Sequence, residues 1–463
     1  MRSRGAALAA LVLLAACAVP PVERELLHRE RAPARVEGAR GPVTHAESRR
    51  ILDEIRRKSP QTGIFEHHLA VEQALAGNAL RAGNRVTLLE EGETTYAAML
   101  QAIRSARHHV HLETYIFEDD EIGQRFAAAL AERRRAGVQV RVVFDGVGSM
   151  GTPREFFRGM AAADIEVYEF NPVTPGTVVT RGLLLNRRNH RKLAVVDGRV
   201  AFVGGVNISS VHTSGSASIA SRRQAGSGDA FDRRPWRDTH VRIEGPVVAD
   251  FQASFLKIWS QMTKQAAPAE AAFFPKLEPV GPHVVRALEG WLDSGLNPLY
   301  VTLISAIESA ERDVRITMAY FVPNPELLEV LKAAARRGVE VQLLLPSRTD
   351  HWLVFHAGRS YYEGLLDAGV KIHERRSRLL HAKTATVDGV WSTVGSTNLD
   401  WRSLLHNDEI NAVVLGPEFA ASLDALFERD LRQSETITPE AWRARPLEDR
   451  AREAAARLWA RFL

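Results

Sequence analysis

Short apolar runs alternate with longer amphipathic segments along most of the chain, and the same alternation occurs twice. The second amphipathic segment in each half ends at a glycine, as helices often do. The apolar runs are rich in Val and Leu, a pattern typical of strands buried on both faces. The predicted helices span residues 96–106, 122–135, 299–310 and 325–337, and the predicted strands span 110–117, 138–144, 314–321 and 339–345. Helices alternating with such strands predict an α/β fold.

The repeated order of elements indicates an internal duplication. We therefore predict two tandem domains, residues 84–265 and 282–463, each a mixed β-sheet flanked by helices. The boundary falls in a stretch that contains Ala, Pro and Lys, at about 265–281. A loop rich in Ser, Gly and Ala, residues 213–229, has no counterpart in the second half and is predicted to be flexible.

Residues 18–83 precede the first domain. Up to about Gly41 they contain much Arg, Glu, Pro and Ala and few large apolar residues, which predicts a tether with little fixed structure. From about Thr44 to Ala82 the pattern is helical.

The first 17 residues have the pattern of a secretory signal: Arg2 and Arg4, then the apolar run 6–16, then small residues. The run is shorter than the roughly 20 residues that span a bilayer. Its end, Leu-Ala-Ala-Cys17, resembles a bacterial lipobox, which implies acylation of Cys17 and a membrane-anchored, periplasm-facing lipoprotein. Ala18 in place of Asp favours the outer membrane weakly. An ordinary cleaved signal and a short uncleaved anchor are the alternatives.

The composition indicates a folded protein but does not indicate an activity. The chain has 463 residues, 45% hydrophobic and 25% charged, which is ordinary for a folded protein and excludes global disorder. The formal net charge of +4 suits a protein that handles phosphates or an anionic membrane, and many other proteins share it. Cys17 is the only cysteine, so an intrachain disulfide is excluded.

The candidate chemistry lies in a His-x-Lys-x4-Asp motif that occurs once in each half. The copies are His190, Lys192 and Asp197, and His381, Lys383 and Asp388, at an offset of 191 residues. In each copy an apolar run, Asp-Gly and a second apolar run predict a β-hairpin. His and Lys are two positions apart on a strand, so both side chains point to one face. Each Asp falls at the turn, where a structural role is favoured over a catalytic one.

Two further sets of residues recur near the motifs. Small residues and an Asn follow each hairpin, and we predict that they let backbone amides and the Asn side chain approach an anion; they are Gly204, Gly205, Asn207, Gly395, Ser396 and Asn398. Aligning the Gly-Pro pairs at 245–246 and 416–417 places Asp238 against Glu409. An acid at the same position of both halves suits the partner of a catalytic histidine, whose tautomer it would fix.

These motifs resemble the phospholipase D superfamily. The stretch from His190 to Asn207 is similar to its first signature, and His381–Asp388 with 395–400 to its second. Residues 115–120 and 236–240 resemble bacterial cardiolipin synthases more narrowly. The resemblance implies a phosphohistidine enzyme without metal or cofactor, in which two lysines stabilise the phosphate oxygens. It favours His190 as nucleophile and His381 as acid/base, an order that the sequence alone leaves open.

The expected reaction is phosphatidyl transfer for phospholipid biosynthesis, namely cardiolipin from phosphatidylglycerol with release of glycerol. The alternative is a hydrolase of the same fold that acts on phospholipid or nucleic acid. Nucleases of the superfamily often carry one motif per chain, so two motifs favour lipid, and no nucleic-acid partner is expected. A histidine cluster, His108, His109 and His111, is interpreted as the start of a strand. The C-terminal segment 446–463 is a basic helix with apolar residues at its end, for which packing on the second domain is favoured over contact with lipid.

Overall fold

A computed structural model describes residues 31, 33–174, 186–213, 234–265, 271–290 and 297–463. The predicted signal segment with Cys17, and nearly all of the loop predicted at 213–229, lie outside the described residues. Among the described residues, every helix falls short of the length and apolarity that a membrane span requires.

The described α-helices are α1 (His45–Lys58), α2 (Leu69–Ala76), α3 (Glu91–Ser105), α4 (Glu121–Arg135), α5 (Arg154–Ala162), α6 (Val248–Thr263), α7 (Pro298–Glu308), α8 (Pro325–Arg336), α9 (Trp352–Arg359), α10 (Tyr362–Leu366), α11 (Trp401–Leu405), α12 (Pro417–Leu431), α13 (Pro439–Arg443) and α14 (Leu447–Arg457). Short helices of other types occupy Ile64–His68, Ser210–His212, Ala271–Phe273 and Ala460–Phe462.

The first half contains β1 (Val36–Gly38), β2 (Gly41–Pro42), β3 (Leu80–Glu90), β4 (His109–Thr114), β5 (Gln139–Asp145), β6 (Glu166–Phe170), β7 (Arg188–Asn189), β8 (Leu193–Val196), β9 (Val200–Gly204) and β10 (Thr239–Glu244). The second half contains β11 (His283–Gly290), β12 (Asp313–Met318), β13 (Glu340–Pro346), β14 (Lys371–Arg375), β15 (Lys383–Val387), β16 (Trp391–Gly395), β17 (Asn407–Leu415) and β18 (Ser434–Ile437).

Both halves have the same mixed sheet, so the predicted fold class and duplication are confirmed. In the first half the neighbours run β6, β5, β4, β8, β9, β10, β3, with β4, β5 and β6 parallel and the rest antiparallel. In the second half they run β14, β13, β12, β15, β16, β17, β11 in the same senses. Strands β3 and β11 pair with each other, which joins the two sheets at equivalent edges.

A third core lies between the halves. Besides one apolar cluster in each half, a shared cluster contains Val195 and Phe251 from the first half and Val285 and Ile410 from the second. Buried apolar area stabilises a contact at roughly 25 cal/mol per Å². The halves are therefore held rigidly against each other, and side chains from both can form one site.

The N-terminal segment packs against the core of the second half. Val36 and Leu69 lie in the same apolar cluster as the core of that half. The carboxylate of Glu72 is buried and meets the Arg286 guanidinium at 3.1 Å and the Trp391 indole N–H at 2.9 Å. Burial raises the pKa of Glu72, but Arg286 and the hydrogen-bond donors around it outweigh burial and bring that pKa to about 2.

Two details of the sequence prediction are wrong here. The predicted tether reached Gly41, whereas β1 and β2 already belong to the sheet, because β1 pairs in parallel with β3. The helical pattern assigned up to Ala82 ends earlier, since β3 begins at Leu80. Regular structure in the first repeat thus starts before the predicted boundary at residue 84.

The motif aspartates lie at the hairpin turns, as predicted. Asp197 and Asp388 both adopt left-handed backbone conformations, with φ of 54° and 52°. Each carboxylate bonds the chain just before a central strand: Asp197 accepts from the backbone N–H of residues 107–109, and Asp388 from those of residues 311–313 at 2.8–3.0 Å. Their hydrogen bonds therefore go to another segment, not to their own turn.

Replacing Asp388 by alanine is expected to destabilise the fold by about 3 kcal/mol, because three backbone donors, one buried and two half-buried, lose a charged acceptor. Denaturant unfolding would measure the loss. The matched control is Asp367→Ala, whose ion pair with Arg443 is exposed and contributes little. If Asp388→Ala left the unfolding free energy unchanged while kcat fell at least a hundredfold, the structural role would be wrong.

Candidate active site

The two motif histidines each meet a carboxylate of the opposite half. His190 Nδ1 lies 2.9 Å from Glu409 Oε1, and His381 Nδ1 lies 2.7 Å from Asp238 Oδ2. All four side chains are buried. A carboxylate accepts the Nδ1–H of a neutral imidazole, which leaves the lone pair on Nε2. Asp238 and Glu409 are thus the partners of the histidines, as the alignment of the two halves predicts. The structure adds that each acid pairs with the histidine of the opposite half.

Two backbone contacts between the halves bring these groups together. His190 N donates to the carbonyl of Asp408, and His381 N donates to the carbonyl of Arg237. The residue before each histidine thus lies beside the residue before the acid it pairs with: Asn189 pairs with Asp408 in β7 and β17, and Leu380 forms a bridge with Arg237. Because the same contact occurs twice, the site has approximate two-fold symmetry.

The two lysines face the same site. Lys192 Nζ donates to the carbonyl of His190 at 2.6 Å, and Lys383 Nζ donates to the carbonyl of His381. Lys383 lowers the pKa of Lys192, and both lysines lower the pKa of both motif histidines, so the two ammonium groups lie near each other and near the imidazoles. The residue between His190 and Lys192 points away, as predicted, because Arg191 donates to the Ser254 hydroxyl on α6 at 2.6 Å.

Burial governs the protonation states of the site. It holds the pKa of both histidines well below the usual range, and the lysines push them in the same direction. Burial also lowers the pKa of Lys192 to about 7 and that of Lys383 to about 8. The pKa of Glu409 rises to about 7, again through burial. At neutral pH the imidazoles therefore keep a free lone pair, beside two lysines whose pKa values lie close to that pH.

Comparison with known proteins agrees with this geometry. The family model described as "Cardiolipin synthase, PLD-like domain" matches residues 99–218 and 303–431, one segment in each half. A cardiolipin synthase of Geobacillus sp. (strain WCH70) is 34% identical over 402 residues, which cover 86% of this chain and 77% of that protein. The chain belongs to this family.

Other relatives place the cardiolipin synthase family within a wider fold. A probable cardiolipin synthase of Bacillus subtilis is 32% identical over 382 residues, 82% of this chain and 72% of the relative. The crystal structure of phosphatidylserine synthase from Haemophilus influenzae Rd KW20 shares the fold, with a TM-score of 0.59 and 14% identity over 82% of this chain and 95% of that one.

The small residues after each hairpin lie against the partner acids. A Cβ on Gly205 would lie 2.1 Å from Asp238 Oδ1, so only glycine leaves room for that carboxylate. At the equivalent position the Ser396 hydroxyl donates to Glu409 at 2.5 Å. Backbone N–H groups of the set are already bonded within the protein, those of Gly205 and Ser396 to carbonyls of the neighbouring strand. Direct contact of Gly204, Gly205, Asn207, Gly395, Ser396 and Asn398 with phosphate stays a prediction.

A position that was not predicted from the sequence supports each acid. Five residues after the Asn of each half, His212 accepts from the N–H of Asn207 and Ser403 accepts from that of Asn398. His212 Nδ1 lies 3.6 Å from Asp238 Oδ2, and the Ser403 hydroxyl donates to Glu409 Oε1 at 2.8 Å. His212 and Ser403 are 191 residues apart, the same offset as the two motifs, which is a signal in the sequence. The equivalence was not recognised because one residue is a histidine and the other a serine.

Aromatic residues line the site beside each histidine. The Tyr115 ring centroid lies 5.0 Å from that of His190, and the Trp236 and Tyr320 rings lie 5.3 and 6.2 Å from that of His381. Tyr115 and Trp236 occur in the segments that resemble cardiolipin synthases, whereas Tyr320 follows β12 and carried no signal. All three residues are half-buried, so their rings shield part of the space beside the imidazoles from water.

Clustered histidines can also bind a metal ion. His109 and His111 both bond Gln252 in the core, and His109 begins β4, as predicted for the cluster. Among the described residues, one group has potential ligand atoms within 4.8 Å of one another: His212, Asp238 and His381. The 2.7 Å contact between Asp238 and His381 is of hydrogen-bond length, so a histidine–carboxylate pair accounts for it.

Proposed function

We propose that the chain makes cardiolipin by transferring a phosphatidyl group from one phosphatidylglycerol to another, with release of glycerol. The observation that carries the proposal is the pair of histidine–carboxylate contacts facing two buried lysines in one site. One imidazole can attack phosphorus while the other handles the proton of the alcohol. The family to which the chain belongs, and the names of its relatives, support a phospholipid as the substrate.

In the first step His190 Nε2 attacks the phosphorus of phosphatidylglycerol. A P–N bond forms, the P–O bond to the headgroup glycerol breaks, and His381 Nε2 supplies the proton that the glycerol oxygen takes. Glu409 stabilises the positive charge that develops on His190, and the lysines stabilise the phosphate oxygens. A bound phosphodiester adds negative charge near His381, which favours the protonated imidazole that this step requires.

In the second step the headgroup hydroxyl of another phosphatidylglycerol gives its proton to His381 and attacks phosphorus. The P–O bond to the acceptor forms, the P–N bond breaks, and the neutral His190 is restored. Water in place of the second lipid would give phosphatidic acid. Splitting the displacement into two steps lets one site exchange one alcohol for another.

The activity should fall as pH rises through about 7 to 8, since Lys192 and Lys383 lose their protons there. Each lysine is charged below its pKa and neutral above it, and a neutral amine stabilises the phosphate oxygens poorly. Lys192→Arg should move the alkaline limb of kcat/KM upward, because a guanidinium stays charged at any such pH. The profile itself is the readout, even if the variant is slower.

Lys371→Arg is the control for that profile, because Lys371 is an exposed residue of β14. It should leave the alkaline limb where the native chain has it. If the alkaline limb of kcat/KM also stays in place in Lys192→Arg, the loss of activity at high pH reflects the ionisation of a group other than Lys192.

The test of the function is lipid analysis after expression in a bacterium that lacks cardiolipin. The native chain should restore cardiolipin, and purified protein given labelled phosphatidylglycerol should release glycerol in equal amount. Phosphatidic acid without cardiolipin would establish the hydrolase instead. No lipid product from a folded chain would overturn the proposal.

We further propose that the chain is attached to the membrane by acylation of Cys17, facing the periplasm. The lipobox-like sequence before the only cysteine supports this attachment. Palmitate labelling that disappears in Cys17→Ser is the expected result, and labelling that persists would contradict it.

A further inference from the structure

The last residues of the chain form an exposed apolar patch, which we define as Leu458, Trp459 and Phe462. Their exposed fractions are 82%, 57% and 61%. The rings of Trp459 and Phe462 are in contact, with centroids 6.0 Å apart, so the patch is continuous there. Such large side chains contribute little to folding while they stay in water, and contiguous exposed apolar groups mark a surface that another phase or molecule covers.

Two arginines adjoin the patch in the sequence. Arg457 and Arg461 are exposed and lie on its edge, and among the described residues no carboxylate forms an ion pair with either of them. Their guanidinium groups lie instead over aromatic rings, Arg457 over Tyr361 at 5.0 Å and Arg461 over Trp401 at 5.8 Å. Trp, Phe and Leu bordered by Arg is the composition of a segment that lies at the boundary between anionic headgroups and acyl chains.

The patch is connected to the active site through Arg402. The carbonyl of Leu463 accepts from the backbone N–H of Arg402 at 2.8 Å. The Arg402 side chain donates to Asn186 at 3.0 Å, and its charge contributes to the lowered pKa of His190. Helix α11, which carries Trp401 and Arg402, follows directly after Asn398 of the second motif. The residue that follows the patch is thus bonded to a helix whose arginine acts on His190.

The opposite face of this segment is fixed to the protein. Glu453 of α14 meets Arg359 of α9 at 3.5 Å and Arg445 at 3.0 Å, and Ala456 and Ala460 are buried. The predicted packing of the C-terminal helix on the second half is therefore observed. A rigid inner face and an unpartnered apolar outer edge leave the patch a constant position relative to the site.

We infer that the patch inserts into an anionic phospholipid surface and holds the mouth of the active site against it. The inference rests on the proposed function, since it supplies a reason why a lipid substrate would be taken from a bilayer next to the site. The two cations would contact the headgroup phosphates while the three apolar side chains enter the acyl region. This contact is separate from any attachment at Cys17.

A probe at the patch tests the contact independently of the N-terminus. Cys17→Ser leaves the full chain without cysteine, so Phe462→Cys in that background carries a single environment-sensitive fluorophore. With phosphatidylglycerol vesicles its emission should shift to shorter wavelength and resist an aqueous quencher. The control is Phe274→Cys, at an exposed phenylalanine of the segment between the halves, whose label should stay in water. An unshifted Phe462 label on vesicle-bound protein would overturn the inference.

Activity supplies the second readout. Leu458→Ser/Trp459→Ser/Phe462→Ser should lower turnover on phosphatidylglycerol vesicles at least tenfold and leave turnover on a short-chain, monomeric phosphatidylglycerol unchanged. Arg457→Gln/Arg461→Gln should weaken the preference for anionic over phosphatidylcholine vesicles. Equal loss on both substrates would contradict a surface role. If the labelled patch inserts into vesicles but neither vesicular nor short-chain phosphatidylglycerol reacts, the proposed function would be wrong and the surface contact would stand. Concentration-dependent self-association, lost in the triple variant, would assign the patch to a second copy.

Discussion

His190→Ala and His381→Ala should each lower kcat for cardiolipin formation by roughly 10⁴-fold or more, because residues that act as a catalytic unit lose nearly the whole effect when one is removed. His190 supplies the electron pair and His381 the proton, and among the described residues no other imidazole pairs with Glu409. The measurement is glycerol release from labelled phosphatidylglycerol. Acid-free quenching and digestion of the native enzyme should place the phosphatidyl adduct on the peptide that contains His190.

The control for the histidines is His45→Ala, an exposed residue at the start of α1 that should keep full activity. Equal unfolding midpoints for all three variants would show that the loss is chemical. Activity within tenfold of the native value in either motif variant would reject the two-histidine mechanism. An adduct on His381 would keep the mechanism and reverse the two roles.

Glu409→Gln and Asp238→Asn should each lower kcat by about 10³-fold, because an amide no longer fixes the tautomer or stabilises the imidazolium. Both replacements keep the side-chain volume, so the cost in stability should be small. The matched control is Glu418→Gln, which replaces an exposed acid at the start of α12 and should keep the native kcat.

The crossed pairing predicts which histidine each acid serves, and the leaving group can test it. In a phosphodiester that carries p-nitrophenol, the p-nitrophenolate leaves without being protonated. Formation of the adduct on His190 then no longer needs the proton of His381. Asp238→Asn should then recover adduct formation together with His381→Ala, whereas Glu409→Gln should stay impaired together with His190→Ala. Recovery of Glu409→Gln in place of Asp238→Asn would reverse the assignment.

Local features of the site could be predicted from sequence because they depend on neighbours along the chain. The shared face of His190 and Lys192 follows from strand alternation, and the turn position of Asp197 follows from Asp-Gly between apolar runs. Duplication strengthened both, since each pattern occurs at the same offset in both halves. The helices and central strands were predictable for the same reason.

Long-range partners were not predictable in this way. The pairing of His190 with Glu409 depends on how β3 meets β11 and on the shared core, which no periodicity encodes. The contribution of Glu72 to the second half was hidden for the same reason, because Arg286 is distant along the chain. His212 supports Asp238 through a different side chain from the serine in the other half, so the repeat did not reveal it.

The crossing of the two histidine–carboxylate pairs has a consequence for when the chain becomes active during its synthesis. His190 is made early, whereas Glu409, its acid, lies 219 residues further along the chain. Until the second half has folded against the first, the nascent chain holds a histidine without its carboxylate and a carboxylate, Asp238, without its histidine. A chain translated only through its first half therefore has neither histidine–carboxylate pair, and the two-histidine chemistry requires both halves.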